Sequence, residues 1–565
     1  MITNRIKELR KRFKEFEIDG YIVPKNDEFF SEYAANDRLR NISNFTGSAG
    51  LAIILKRKSY LFVDGRYTIQ AQSESGKNYK IIEIHKKLPH TIVKNCKLGF
   101  DPHLFTTNKL ERYFSNNNKL ISIDINLIDI IHKNKIKKTK PFFSLPEKIT
   151  GQSHQSKINN IINFLKLNKA DHLFVSAPEN VAWLLNIRGY DNPTSPIPNS
   201  RLIISKDKKL LLFVTKSNAQ KIIKEKKITK NQVTDFHQFK ELINKLKGPN
   251  FIIDSHSCSV FDEKIIKSKF KIINREDPIY KLKSIKNSSE IKHMIKAHKI
   301  DGLALTRFIH WIKNINKKNI TEVDAQDKLE KFRKMNSNYL YPSFKTIAGT
   351  GSNGAIVHYR ATKFNTKKIK KNDIFLCDSG GQYKYGTTDV TRTLCFSKPK
   401  QYIKNIFTKV LKGHISVALT NLNKDNTGKK IDIRARKFLK KDGLDYAHGT
   451  GHGVGFFLNV HEGPQSISKY NSIKITKGMI LSNEPGFYKK NYFGIRIENL
   501  LYVKNKDNNL SFENLTMAPI EKDLINYSLL NKTEKDYLFK YHLSIYSKYS
   551  RFLNKKERKW LARHI

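Results

Sequence analysis

Five residues in the second half of the chain have the types and settings of a two-metal site: Asp378, Asp389, His452, Glu484 and Glu498. They lie in Cys377-Asp378-Ser379-Gly380, Thr388-Asp389-Val390-Thr391, Gly451-His452-Gly453, Asn483-Glu484-Pro485-Gly486 and Arg496-Ile497-Glu498-Asn499. Four carboxylates and one imidazole suit a pair of hard divalent cations, which turn water into a nucleophile near neutral pH. The charges balance, because four carboxylates match two divalent ions and none needs to be buried unpaired. The set predicts a metallohydrolase.

Taken singly, each residue has an ordinary explanation. An Asp beside a turn is usually a cap or an Asx-turn, and a lone His is usually a satisfied structural residue. The weight lies in the combination. Asp378 ends the apolar run Ile374 to Cys377, and Asp389 opens the alternation Val390 to Leu394. Two antiparallel strands are expected to set these aspartates side by side. His452 stands in a glycine-rich run, His448 to Gly455, with His461 nine residues further on. That run has neither GxGxxG spacing nor a following Lys-Ser/Thr, so it is not a nucleotide loop. Pro485 holds Glu484 extended. Glu498 sits among apolar neighbours on both faces, where a glutamate needs a partner such as a cation.

The elements that must position these residues are legible in outline. Residues 1–150 read as an α/β segment: a helix from Ile2 to Phe16, a strand from Gly20 to Pro24, and a strand pair Asn44–Leu55 and Ser59–Asp64 with Gly47 and Gly50 at its turn. Residues 151–280 repeat the plan, with a helix Ile158–Leu167, a strand Asp171–Ser176 and a hairpin Arg201–Ser205 with Leu210–Val214. Residues 281–510 open on a capping box at Asn287 to Glu290, followed by a long helix. Thr321 caps a second helix whose first turn carries Glu322 and Asp324. After Pro342 come glycine-punctuated strands that hold all five candidate ligands. Residues 511–565 return to helical patterning with Tyr537, Phe539, Tyr541, Tyr546 and Tyr549.

At 565 residues the chain needs several cores. No apolar run approaches a membrane span, and the charged N-terminus lacks a signal core, which predicts a cytoplasmic protein without membrane partners. Four cysteines without a CxxC pair predict no disulfide framework. The net charge of +54 is spread along the chain. It reads as compositional bias, and no groove-reading or stacking motif supports a nucleic-acid partner. The runs Lys133–Lys140 and Lys367–Lys371 read as solvated loops.

In this order the five segments resemble the "pita-bread" metallopeptidases, which include methionine aminopeptidase, prolidase and creatinase. His358-Tyr359-Arg360, the runs His448–Gly455 and Asn483–Tyr488, Val460 to Pro464, and Arg496 to Asn499 resemble the aminopeptidase P branch. Gly47 to Gly50, Val63 to Tyr67, Val181 to Gly189 and the closing Trp560-Leu561 resemble its long, three-domain form. The resemblance implies two creatinase-like α/β domains, an α+β pita-bread catalytic domain, and a C-terminal extension that forms a homodimer. It implies two divalent ions, usually Mn(II), held by the five residues, and release of the first residue from peptides with proline second by a metal-bridged hydroxide. It implies Glu484 as proton shuttle, His358 and His461 as oxyanion donors, and His448, Tyr488, Arg496 and Arg66 around the substrate. Prolidase is the nearer alternative, and the long N-terminal half argues against it.

Overall fold

The computed structural model describes residues 2–34, 36–114, 118–132 and 140–565. Most of the basic run at Lys133–Lys140 therefore lies outside the described residues. The chain divides into two compact units, Met1–Tyr280 and Lys281–Ile565.

The first unit contains two six-stranded sheets. Strands β1 (Gly20–Pro24), β2 (Leu51–Leu55), β3 (Ser59–Val63), β4 (Lys80–Glu83), β5 (Cys96–Phe100) and β6 (Asn118–Ser122) run in the order β4-β3-β2-β1-β5-β6. Only β2 is antiparallel to its neighbours. Side chains alternate across β1. Tyr21 and Val23 enter the core formed with helix α1 (Ile2–Arg12), while Ile22 enters the core on the opposite face. The second sheet comprises β7 (His172–Val175), β8 (Arg201–Ser205), β9 (Leu210–Phe213), β10 (Val233–Thr234), β11 (Asn250–Ile253) and β12 (Lys271–Asn274). Its order, β10-β9-β8-β7-β11-β12, repeats the first, with the same pattern of parallel and antiparallel neighbours. The similar plan expected of the two segments is thus a shared topology. One local expectation is corrected. Gly47 and Gly50 precede β2, and the turn between β2 and β3 is residues 56–58.

The second unit opens on helix α3 (Ser288–Asn314), started by the Asn287–Glu290 capping box; α2 is the earlier helix His154–Leu167. Helix α4 (Glu322–Lys334) is capped by Thr321 with Asp324. Strands β13 (Tyr339–Pro342), β16 (Gly381–Tyr383) and β17 (Gly386–Thr387) form one small sheet. β14 (Ile347–Thr350), β15 (Ile374–Ser379) and β18 (Val390–Cys395) form another. A five-stranded sheet joins β19 (Gly451–Gly453), β20 (Glu462–Ile467), β21 (Ile480–Asn483), β24 (Asn499–Lys506) and β25 (Asn509–Asn514) in the order β20-β19-β21-β24-β25. β22 (Gly486–Lys489) and β23 (Phe493–Arg496) make a hairpin. Helices α5 (Gln401–Ala418) and α6 (Gly428–Lys440) pack together. The C-terminal helices α7 (Lys532–Tyr549) and α8 (Lys555–Ala562) bury Leu538, Tyr541, Ile545 and Leu561 in the core that also takes α5 and β23. The four cysteines are free. No helix among the described residues is long and apolar enough to cross a membrane.

Glu322 does more than favour a helix start. It is fully buried, and its carboxylate accepts from the Thr350 and Lys367 backbone N–H groups, the Asn353 amide and the Tyr359 hydroxyl. These bonds pin α4 to β14 and to the loop that follows it. Glu322→Ala strands several buried donors, at about 1–3 kcal/mol for each one left unmatched. The variant is expected to melt at least about 5 °C below wild type in calorimetry; an unchanged melt would mean these bonds are not structural.

Candidate active site

The residues that bear charge are brought together from the ends of β15, β18 and β21, the middle of β19 and the junction of β23 with β24. Asp378 lies near the end of β15, directly opposite Thr391 of β18. Asp389 precedes β18 and lies two residues before Thr391, so it shares the face of Thr391 and Asp378. The two aspartates are therefore diagonal neighbours across an antiparallel pair. They are not directly opposed, because the ladder ends at Ser379 and Val390. His452 is the middle residue of β19, Glu484 follows β21, and Glu498 joins β23 to β24.

The donor atoms converge. Nε2 of His452 stands 3.4 Å from Asp389 Oδ2 and 3.5 Å from Glu484 Oε1. Donor atoms of Asp389, His452 and Glu498 all lie within 4.8 Å of one another. His452 Nδ1 is 2.9 Å from the Gly453 carbonyl, an arrangement that puts the proton on Nδ1 and leaves Nε2 as a lone-pair donor. Asp378 Oδ2 accepts from Arg496, whereas its buried Oδ1 has no partner among the described residues. A buried carboxylate oxygen aimed into a carboxylate cluster fits a cation ligand. The oxygen-rich set with one imidazole fits a hard divalent ion. Among the described residues Cys395, Glu521 and Asp523 form a second cluster, but Lys313 already serves as its cation, at 2.5 Å from Glu521 and 2.9 Å from Asp523.

Crowding shows in the protonation equilibria. Burial pushes the Asp378 carboxyl up to about 7; Arg496 opposes the rise and Asp389 adds to it. Burial raises Glu484 as well, with His452 and Arg496 opposing. Glu498 rises well above the carboxylate range through burial and its neighbours Asp389, Glu484 and Asp378. Burial disfavours charge on His452, but Asp389 and Glu484 prevail and push it up to about 9.

A second layer holds the carboxylates in place. Thr391 donates its hydroxyl to Glu498 Oε2 at 2.7 Å and accepts from Arg496 Nε at 3.1 Å. Arg496 donates to Asp378 at 2.7 Å and to the Tyr488 hydroxyl at 2.6 Å, and that hydroxyl lies 2.9 Å from His448 Nε2. Arg392, on the opposite face of β18, is fully buried and gives its N–H groups to the carbonyls of Thr391, Glu498, Ala518 and Pro519 and to Asn499 and Tyr541. Sequence reasoning passed over Thr391 and Arg392. The signal was present, since alternation in Asp389 to Thr393 puts Thr391 on the face of Asp389 and Arg392 behind it.

Of the other expected site residues, His461 meets His452 ring to ring at 4.3 Å. His358 is half-buried beside Tyr359, which packs in a cluster with Leu376 and Tyr488. Arg66 belongs to the first unit, where both its Nε and Nη2 bind Asp64. Glu462, next to His461, is buried in ion pairs with Lys283 at 3.3 Å and with Lys286.

In the metal-free protein, Asp378, Glu484, Glu498 and His452 all have folded-state pKa values above their unfolded ones. Each contributes stability that is complete below its unfolded pKa and lost as pH rises through its folded value, about 7 for Asp378 and about 9 for His452. The melting temperature of the metal-free protein is expected to fall by about 5 °C or more between pH 6 and 9. Asp378→Asn is expected to flatten that slope, and a saturating divalent cation to remove it. Equal slopes in variant and wild type, or a fall that cations leave unchanged, would contradict the crowding argument.

Comparison with known proteins places this geometry. Residues 292–505 match metallopeptidase family M24, and residues 508–565 match its C-terminal region. Residues 5–130 and 133–290 each match a creatinase/prolidase N-terminal domain. A probable Xaa-Pro aminopeptidase P from Laccaria bicolor is 38% identical over 99% of this chain and 93% of its own. Aminopeptidase P2 from Arabidopsis thaliana is 34% identical over 98% of this chain and 86% of its own. The X-prolyl aminopeptidase from Caenorhabditis elegans, a cytosolic enzyme with a di-nuclear active site, superposes with a TM-score of 0.92 at 28% identity, covering 100% of this chain and 99% of that one. The prolidase from Pyrococcus horikoshii covers 65% of this chain, with a TM-score of 0.53 at 27% identity. The chain belongs to metallopeptidase family M24, in its form with creatinase-type N-terminal domains and a C-terminal region.

Proposed function

We propose that this protein is a metal-dependent aminopeptidase that releases the first residue from peptides with proline in the second position. The observation that carries the reading is the convergence of Asp389, His452 and Glu498 beside the unpartnered oxygen of Asp378, in a chain similar along nearly its whole length to Xaa-Pro aminopeptidases. Asp378, Asp389, His452, Glu484 and Glu498 hold two divalent ions, Mn(II) by family resemblance. When bound, these ions acidify water to a nucleophile near neutral pH.

The chain's own residues do the rest. The bond before proline is a tertiary amide with no N–H, so recognition rests on the carbonyl, the ring and the free amine. Glu484, at the edge of the cluster and partly exposed, takes the proton from water and delivers it to the leaving proline nitrogen. His358 and His461 donate to the developing oxyanion. Tyr488 and Arg496, locked together and to His448, form the wall on the proline side. For Arg66 the support is its motif alone; the role proposed is closure over the substrate.

The proposed organisation is a creatinase-like domain over 1–150, a second over 151–280, the catalytic domain over 281–510, and a C-terminal extension over 511–565 that forms a homodimer. The compartment proposed is the cytoplasm.

Glu484→Gln, checked to retain two ions per chain, is expected to lose at least about a hundredfold in turnover on Arg-Pro-Pro. Activity like that of wild type would remove the shuttle role. Chelation is expected to abolish cleavage and Mn(II) to restore it, whereas a chelator-insensitive rate would refute metal dependence. Cleavage of Xaa-Pro dipeptides with neglect of longer peptides would favour a prolidase instead.

A further inference from the structure

The lysines of the basic run Lys367–Lys371 are exposed, as expected of a solvated loop, and three of them line a cavity of about 660 Å³ in the second unit. Lys367, Lys368 and Lys370 line it from one side, and Lys398 and Lys400 from another. Asp373 is the one carboxylate among the lining residues. It is already engaged by the Thr350 hydroxyl and the Lys370 N–H, both at 2.9 Å. Five lysines against one engaged aspartate leave the lining strongly positive.

The wall is built rather than loose. The Lys367 N–H donates to Glu322 at 2.8 Å, and its carbonyl accepts from the Glu322 N–H at 3.0 Å. Ile369 N–H donates to the Ile320 carbonyl at 2.8 Å, and Lys370 N–H to Asp373. Four backbone bonds therefore fix the segment that presents three of the lysines, which lowers the ordering cost of binding. Lys368, Lys398 and Lys400 are exposed and have no carboxylate partner among the described residues. The other wall adds to the field. Helix α5 starts there with Lys400 at its N-cap, no side-chain cap and no acidic residue in its first turn, so the positive helix end is uncancelled. A second basic cavity of about 620 Å³ shares Ser397, Lys398 and Pro399 with the first and adds Lys404 and Lys522. Tyr492, 37% exposed, borders the first cavity.

The cavity is distinct from the metal cluster. It opens at Ile374 and Cys395, the outer ends of β15 and β18, whereas Asp378 lies four residues along β15, about 13 Å away at the usual strand rise.

We propose that this cleft is a binding site for a polyphosphate anion, a chain of three or more phosphates either free or carried by a nucleoside. A triphosphate bears about four negative charges near neutral pH, matching five lysines set against one aspartate. The volume suits a nucleotide-sized ligand. Lysine binds phosphate as a point charge and needs no planar fork, in keeping with a site built without arginine.

The test is titration calorimetry of the full-length, metal-loaded protein with inorganic tripolyphosphate and, separately, with ATP. The triple variant K368E/K398E/K400E is compared with K437E/K440E/K441E, which places the same reversals on exposed lysines at the end of α6. All variants keep the metal ligands, so chelation by the probe is common to them and cancels. Expected are one-to-one binding to wild type that weakens with salt, a loss of about tenfold or more in the cleft variant, and little change in the control. Peptide cleavage is expected to persist in both. Tighter binding of ATP than of tripolyphosphate would identify a nucleotide ligand with Tyr492 beside the base; the reverse would identify free polyphosphate. Equal weakening in both variants, or no saturable binding to wild type, would overturn the proposal.

Discussion

Four carboxylates and an imidazole share one largely buried cluster, and the repulsion among those carboxylates is the constraint on which the catalytic unit depends. Nothing in an apolar core holds Asp378, Asp389, Glu484 and Glu498 together; burial and neighbouring charge drive the pKa values of Asp378, Glu484 and Glu498 up. The protein answers with a few precisely bonded donors. Arg496 neutralises Asp378, Thr391 fixes Glu498, and Gly453 orients His452. The remaining charge calls for cations. The unpartnered Asp378 oxygen and the close approach of Asp389, His452 and Glu498 follow from that requirement.

The same constraint explains how far the site's support extends. Arg392 lies behind the pocket and is hydrogen-bonded only to neutral acceptors. Its positive charge acts on Glu498 through the strand, and its bonds to Ala518, Pro519 and Tyr541 tie the C-terminal region to the strand that follows Asp389. The C-terminal region is thus part of the catalytic unit's core, whatever its part in assembly. Glu322 serves the other side in a similar way, fixing both the β14 edge and the basic loop that walls the polyphosphate cleft.

Much of this was legible in the sequence. Period-two alternation after Asp389, the Pro after Glu484 and the glycine frame around His452 marked side chains that the structure brings together, and the capping boxes at Asn287 and Thr321 fixed two helix starts. Strand Gly20–Pro24 and the hairpin near Arg201 were visible as apolar runs bounded by turn residues. What stayed hidden depends on tertiary register. The aspartates are diagonal because the ladder stops at Ser379, and no local pattern encodes where a ladder stops. Thr391 and Arg392 acquire their roles from partners more than a hundred residues away. Gly47 and Gly50 were placed at a turn because glycine marks turns, yet the hairpin closes over Lys56 to Lys58. The lysines of the basic loop are exposed, as its composition implied; that Lys398 and Lys400 complete a cavity with it stayed hidden because they are distant in sequence.

These five residues are proposed to hold two cations. Anomalous diffraction at the manganese edge, from crystals grown with Mn(II), tests this proposal most directly. Two peaks about 3.5–4 Å apart are predicted, within reach of Asp378, Asp389, His452, Glu484 and Glu498. A single peak, no peak at this cluster, or peaks at Cys395, Glu521 and Asp523 instead would contradict the account.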